Sequence, residues 1–168
     1  DASQAPLWLP LNVEKLGVDM MTLDAQKIMG PKGVGCLYIK RGVQLKPIIY
    51  GGGQENNLRS GTENVPGIIG LAKAMEIANQ EKEKENKRLI ELRDYLTSRI
   101  LKEIPKTVLN GHPTMRLPNN VNISVLDIEG EGVILYLDAK SIYISTGSAC
   151  TSSASSVFTC SVSIRAVA

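Results

Sequence analysis

The sequence predicts an α/β chain in two domains, and three observations carry that expectation. One is a shaped loop, Lys27-Ile28-Met29-Gly30-Pro31-Lys32-Gly33-Val34-Gly35, with an apolar, β-rich run over 34–39. Another is a long helical pattern that begins at Asn64-Val65-Pro66 and passes through a charged run at 81–88. The last is an order of two strands, a helix and a strand in the residues that follow.

Taken in order, the residues justify each element. Asn12 can cap a short helix over 12–17 and Gly17 can end it. Residues 18–23 read as a strand leading into the lysine loop. In that loop Gly30-Pro31 marks a turn, and Gly33 and Gly35 allow unusual backbone angles or a close approach. Lys27 therefore sits at the mouth of a sheet, where an amine can be aimed. Gly51-Gly52-Gly53 with Arg59-Ser60-Gly61-Thr62 offers backbone, hydroxyl and guanidinium donors that can cradle an anion.

The helix from Asn64 has proline in its first turn. Its expected apolar stripe is Ile68, Ile69, Leu71, Ala72, Met75 and Ala78, resuming as Leu89, Leu92, Leu96, Ile100 and Ile104. Between them the charged run reads as a solvated link between domains, with Glu83 and Lys87 spaced to pair at i,i+4. The boundary falls inside this helix, giving domains 1–80 and 81–168. The second domain reads as strands at 106–109 and 121–125, a helix at 129–138 and a strand at 141–145, an open α/β sandwich. His112, the single histidine, reads as loop surface. Cys36 lies in an apolar strand run and reads as a small hydrophobe, whereas Cys150 lies on a loop of small residues that can expose a thiol. Residues 151–156 are close to low complexity, and Cys160 gets no role.

Composition narrows the function classes. Hydrophobic content of 43% and charged content of 21% are ordinary for a globular protein. A net charge of +2 gives no nucleic-acid footprint. No apolar run approaches the roughly 18 residues of a membrane span. The first residues show neither a basic head nor an apolar signal core, so nothing suggests secretion. Three cysteines without metal-ligand spacing fit free thiols in a reducing compartment, the cytoplasm by default.

Four blocks together carry a family resemblance. Asp1-Ala2-Ser3-Gln4-Ala5 comes first, and Gln26-Lys27-Ile28-Met29-Gly30-Pro31-Lys32-Gly33-Val34-Gly35 follows. Then come Gly51-Gly52-Gly53-Gln54-Glu55 with Arg59-Ser60-Gly61-Thr62-Glu63-Asn64, and finally Ser145-Thr146-Gly147-Ser148-Ala149-Cys150. In that order they resemble the cysteine desulfurases, pyridoxal-phosphate enzymes of the class V aminotransferase type. The resemblance implies part of a type I pyridoxal-phosphate transferase fold: a remnant of the large α/β domain at 1–80 and the smaller C-terminal α/β domain at 81–168. Relatives begin earlier and run on past the cysteine loop, so the chain reads as a fragment truncated at both ends.

The same resemblance implies roles. Asp1 matches the carboxylate that pairs with the protonated pyridine nitrogen, which keeps the ring able to accept electrons. Gln4 matches the residue bonded to the ring's phenolic oxygen. Lys27 matches the Schiff-base lysine, which must be neutral to attack the cofactor aldehyde. Gln26 stands where relatives carry histidine and counts among the cofactor-binding positions. Asp24 stands where they carry a small hydroxyl residue, which sets a carboxylate beside a phosphate. Thr62 matches a threonine that serves the phosphate in the partner subunit, so a homodimer is implied. Cys150 matches the catalytic cysteine and Arg165 the arginine for the substrate carboxylate. The implied reaction converts L-cysteine to L-alanine and leaves a persulfide on Cys150 for a sulfur acceptor such as an iron–sulfur scaffold. A selenocysteine lyase or aminotransferase of the same cofactor class stays open, as does an inactive module that only dimerises or binds a partner.

Overall fold

The computed structural model describes residues 1–128, 130–146 and 159–163, with 146 and 159–163 described by backbone alone. Cys150, Arg165, Glu129 and the run 151–156 lie outside the described residues. The chain divides into two units, Asp1–Glu83 and Lys84–Ala168.

The first unit follows the local chemistry closely. Helix α1, Val13–Leu16, is capped by Asn12, whose side chain accepts from Lys15 N, and ends at Gly17 in the left-handed region at φ 64°. Strand β1, Met20–Asp24, pairs antiparallel with β2, Gly35–Ile39, in a register that sets Asp24 opposite Gly35. A Cβ on Gly35 would come within 2.9 Å of Leu23 O, so glycine is what lets the strands meet at this end. Cys36, expected inside an apolar run, is exposed. Among the described residues β2 has β1 as its strand neighbour, and Gly35, Cys36 and Leu37 are all open to water.

Helix α2, Val65–Glu103, is continuous through the charged run. Its buried face differs from the expected stripe. Gly67, Leu71, Ala74 and Ala78 are buried, while Ile68, Ile69 and Ala72 are exposed. Spacings alternating between four and three residues keep 67, 71, 74 and 78 on one side, and neighbours such as 68, 69 and 72 rotate away. The face continues through half-buried Lys82 and Glu85 to buried Leu89 and Arg93. In the run itself the ion pair forms between Glu85 and Arg88 at i,i+3, not at the expected Glu83–Lys87 spacing. Lys82 Nζ donates to Leu9 O at 2.9 Å, and burial pushes its amine below the usual lysine value.

In the second unit, strands β3 (Thr107–Leu109), β4 (Asn120–Val125), β5 (Ser145–Thr146) and β6 (Thr159–Ser163) make one sheet in the order β3-β4-β6-β5, every pair antiparallel. Helix α3, Gly130–Asp138, lies between β4 and β5 in the chain. The expected strand at 141–145 contracts to Ser145–Thr146, because Ser141 turns at φ 59° on the way out of α3. β6 was not anticipated. It takes the centre of the sheet beside β4, with Cys160 in register between Ile123 and Thr146. Val121, Ile123 and Leu89 are buried, each aliphatic side chain of this kind stabilising by about 1.5–3 kcal/mol. His112 is exposed, and its Nδ1 accepts from the backbone N–H of Thr114 and Met115, a local turn cap.

Candidate active site around Lys27

Between β1 and β2 the chain makes a single 3-10 turn, Gln26–Ile28, and Lys27 is its middle residue. One carbonyl organises it. Ala25 O accepts from Ile28 N at 3.1 Å and from Gly30 N at 2.7 Å, while Ala25 N donates to Val34 O at 3.0 Å. Ala25 and Ile28 are buried with Val34, Leu71 and Ala74, so the turn is anchored by residues on both sides of the lysine. Lys27 itself is half-buried. Met29, next along, is in the left-handed region at φ 63°, an unfavourable place for a side chain that costs on the order of 1 kcal/mol.

Asp24 has a structural task that the sequence did not suggest. Its Oδ1 accepts from Gln26 N at 2.9 Å and so helps to start the turn. Gln26 is exposed at the turn's first position.

Asp1 is brought to the same strand. Ala2 N donates to Thr22 O at 3.0 Å, which docks the N-terminal segment on β1. The Asp1 carboxylate then accepts from Ser3 N at 2.8 Å, Ser3 Oγ at 2.6 Å and Thr22 Oγ1 at 2.9 Å. All three bonds go to Oδ1. Oδ2 accepts none among the described residues. Thr22 and Ser3 are thus the positioning groups for Asp1, and sequence reasoning missed them. Strand alternation was the available signal for Thr22, which shares a face with Asp24. Gln4 is exposed in the turn that follows.

Thr62 lies elsewhere in this unit, on the glycine-rich loop, and is exposed. Three of the loop's donors are engaged within it. Ser60 Oγ bonds Gly52 O at 2.8 Å, Gly61 N bonds Gln54 Oε1 at 3.1 Å, and Arg59 Nη1 bonds Ser60 O at 2.5 Å. Just ahead of it Ile48 and Tyr50 are 91% and 78% exposed, and Ile49 forms a parallel bridge to Arg59. The structure therefore docks Asp1 on β1 at Thr22, sets Lys27 on the turn that leaves the same strand, and puts Thr62 on a separate exposed loop.

The residues present fit a pyridoxal-type cofactor. A carboxylate with one oxygen engaged by three donors would leave the other for a protonated ring nitrogen, and an anchored lysine stands on the turn that leaves β1. Among the described residues no group of three or more His, Cys, Asp or Glu could hold a metal, and no helix is long and apolar enough to cross a membrane.

Comparisons with known proteins identify what the chain is similar to. The family profile "Aminotransferase class-V" matches residues 1–167. The chain is similar to the cysteine desulfurase IscS of Methanosarcina thermophila, 55% identical over 153 residues that make up 91% of this chain and 38% of the relative. It is also similar to the cysteine desulfurase IscS of Dictyoglomus turgidum, 52% identical over 91% of this chain and 39% of the relative. It therefore spans well under half the length of these curated relatives. A solved structure described as a NifS-like protein superposes with a TM-score of 0.86 at 37% identity, over 98% of this chain and 46% of the other.

Proposed function

Because the chain belongs to the class V aminotransferase family, which depends on pyridoxal phosphate, we propose that it supplies the lysine and cysteine of a cysteine desulfurase acting on L-cysteine. The observation that supports this is the docking of the Asp1 carboxylate on Thr22 of β1, with Lys27 on the turn that leaves the same strand.

When bound, pyridoxal phosphate supplies an electron sink for the substrate's Cα carbanion. Lys27 would hold the cofactor, and its free amine would move the Cα proton as a general base. Asp1 Oδ2 would accept the ring N–H and keep the nitrogen charged. Gln4 bonds the phenolic oxygen, and Gln26 borders the cofactor from the same turn. Cys150, as thiolate, attacks the substrate sulfur. A new S–S bond forms as the substrate's C–S bond breaks, the electron pair stays with the carbon, and protonation there yields L-alanine. Arg165 pairs with the substrate carboxylate.

A thiol on a sulfur acceptor, an iron–sulfur scaffold in this reading, takes the outer sulfur and returns Cys150 as thiolate. Thr62 serves the cofactor phosphate of a second subunit. The exposed apolar tract 48–50, bridged to Thr62's loop through Ile49 and Arg59, supports a homodimer. A reducing compartment, the cytoplasm, belongs to the same reading, and the exposed free thiol of Cys36 is compatible with it.

The test uses the full protein with added pyridoxal phosphate. A visible absorption band is expected that Lys27→Ala abolishes, and Cys150→Ser keeps the band while losing sulfide release from L-cysteine under reductant. A colourless wild type overturns the cofactor assignment, and sulfide release by Cys150→Ser reassigns the nucleophile.

A further inference from the structure

Glycine inside a helix costs stability unless something requires its missing side chain. Two glycines in α2 meet that condition against the lysine turn. A Cβ on Gly70 would overlap Pro31 Cγ and lie 3.0 Å from Pro31 Cδ. A Cβ on Gly67 would overlap Val34 Cγ2. On the turn's side, a Cβ on Gly30 would lie 3.1 Å from Ala74 Cβ and 3.0 Å from Ala25 O. Positions 67, 70 and 74 follow one helix face, so the residues just after Lys27 rest on bare helix backbone over two turns.

We propose that Gly67 and Gly70 are positioning residues for Lys27, acting through Val34 and Pro31, so that helix α2 sets the height of the amine above the end of β1. The inference rests on the reading that Lys27 carries the cofactor. The path is short and stiff. Pro31 has a fixed ring and Val34 is β-branched and buried. Val34 O holds Ala25 N, and Ala25 O closes the turn on either side of Lys27. A methyl group at 70 meets a ring rather than the free end of a long side chain, and on this proposal the turn gives way.

The experiment is a rescue series in the full protein. Two quantities are read: exchange of the Ile28 and Gly30 amides without cofactor, and borohydride trapping of pyridoxal phosphate on Lys27 relative to exposed Lys102. Gly70→Ala is expected to speed exchange at both amides and lower the Lys27:Lys102 trapping ratio, each by about tenfold, within the range that overpacking produces. Adding Pro31→Ala removes the overlapped ring and should return both to within about threefold of wild type. A purely stabilising effect of alanine in the helix would change neither. Should Gly70→Ala not fold, Gly67→Ala replaces it, with Val34→Ala, which removes the overlapped Cγ2, as the rescue. Wild-type exchange in Gly70→Ala, or no rescue by Pro31→Ala, overturns the inference. Absence of Lys27 trapping in the wild type sinks the cofactor reading instead, while the exchange arm still decides whether the helix holds the turn.

Discussion

One helix serves two units by opposite means. In residues 65–83 of α2 the buried positions are Gly67, Leu71, Ala74 and Ala78, and three of those four are small. In residues 84–103 the buried positions are Leu89 and Arg93. The first half lets a turn approach the backbone, and the turn carries the candidate catalytic lysine. The second half fills space and ties down a loop. Arg93 donates to Arg116 O at 3.3 Å and Leu117 O at 3.5 Å, and pairs with Asp94 at 2.8 Å. The same helical period thus gives placement where side chains are absent and cohesion where they are large.

Breaking the second half should give the largest effect. Leu89, 1% exposed, fills the core of its unit, and Leu89→Ala is expected to cost about 2–5 kcal/mol of stability by denaturant titration. Lys27 trapping, read at low denaturant, should be unchanged. A parallel fall in trapping would erase the division of labour. Next in size is Asp24→Asn, which keeps an oxygen for Gln26 N but removes a negative charge. At about 4 Å in water-like surroundings that charge repels an anion by ~1 kcal/mol per unit charge, so affinity for pyridoxal phosphate should rise about fivefold for each unit of charge on the phosphate. Exchange at Ile28 should stay as in wild type. Unchanged affinity would place the Asp24 carboxylate away from the phosphate.

The smallest effect sharpens the contrast between glycines. A Cβ on Gly132 in α3 meets nothing within 4 Å. Gly132→Ala should therefore stabilise by about 0.5–1 kcal/mol in a thermal melt. A loss there would mean that glycine in these helices is required for some reason other than clearance.

Much of the fold was legible because it is written locally. Asn12 and Gly17 mark both ends of α1, Pro66 sits in the first turn of α2, and alternation marks β4. What stayed illegible depends on partners distant in the chain. β6 follows a serine-rich run with no turn signal of its own, yet pairs with β4 over five positions. The exposure of Cys36 follows from how few strands flank β2, which no window of sequence reports. At the site, the roles expected of Lys27, Asp1 and Gln4 came only from the four ordered blocks. Thr22, Ser3 and the glycine face of α2 were not, because a hydroxyl or a missing Cβ signals nothing until its neighbour is known. The spacing of 67, 70 and 74 was the one clue in plain view.

The saturation of a single Asp1 oxygen by Ser3 and Thr22 has a consequence for isosteric replacement. An asparagine there could keep the three bonds only by turning its carbonyl toward them. Its NH₂ would then take the place of Oδ2, so the backbone would tolerate the exchange while an acceptor was replaced by a donor, the opposite of what the proposed ring N–H needs.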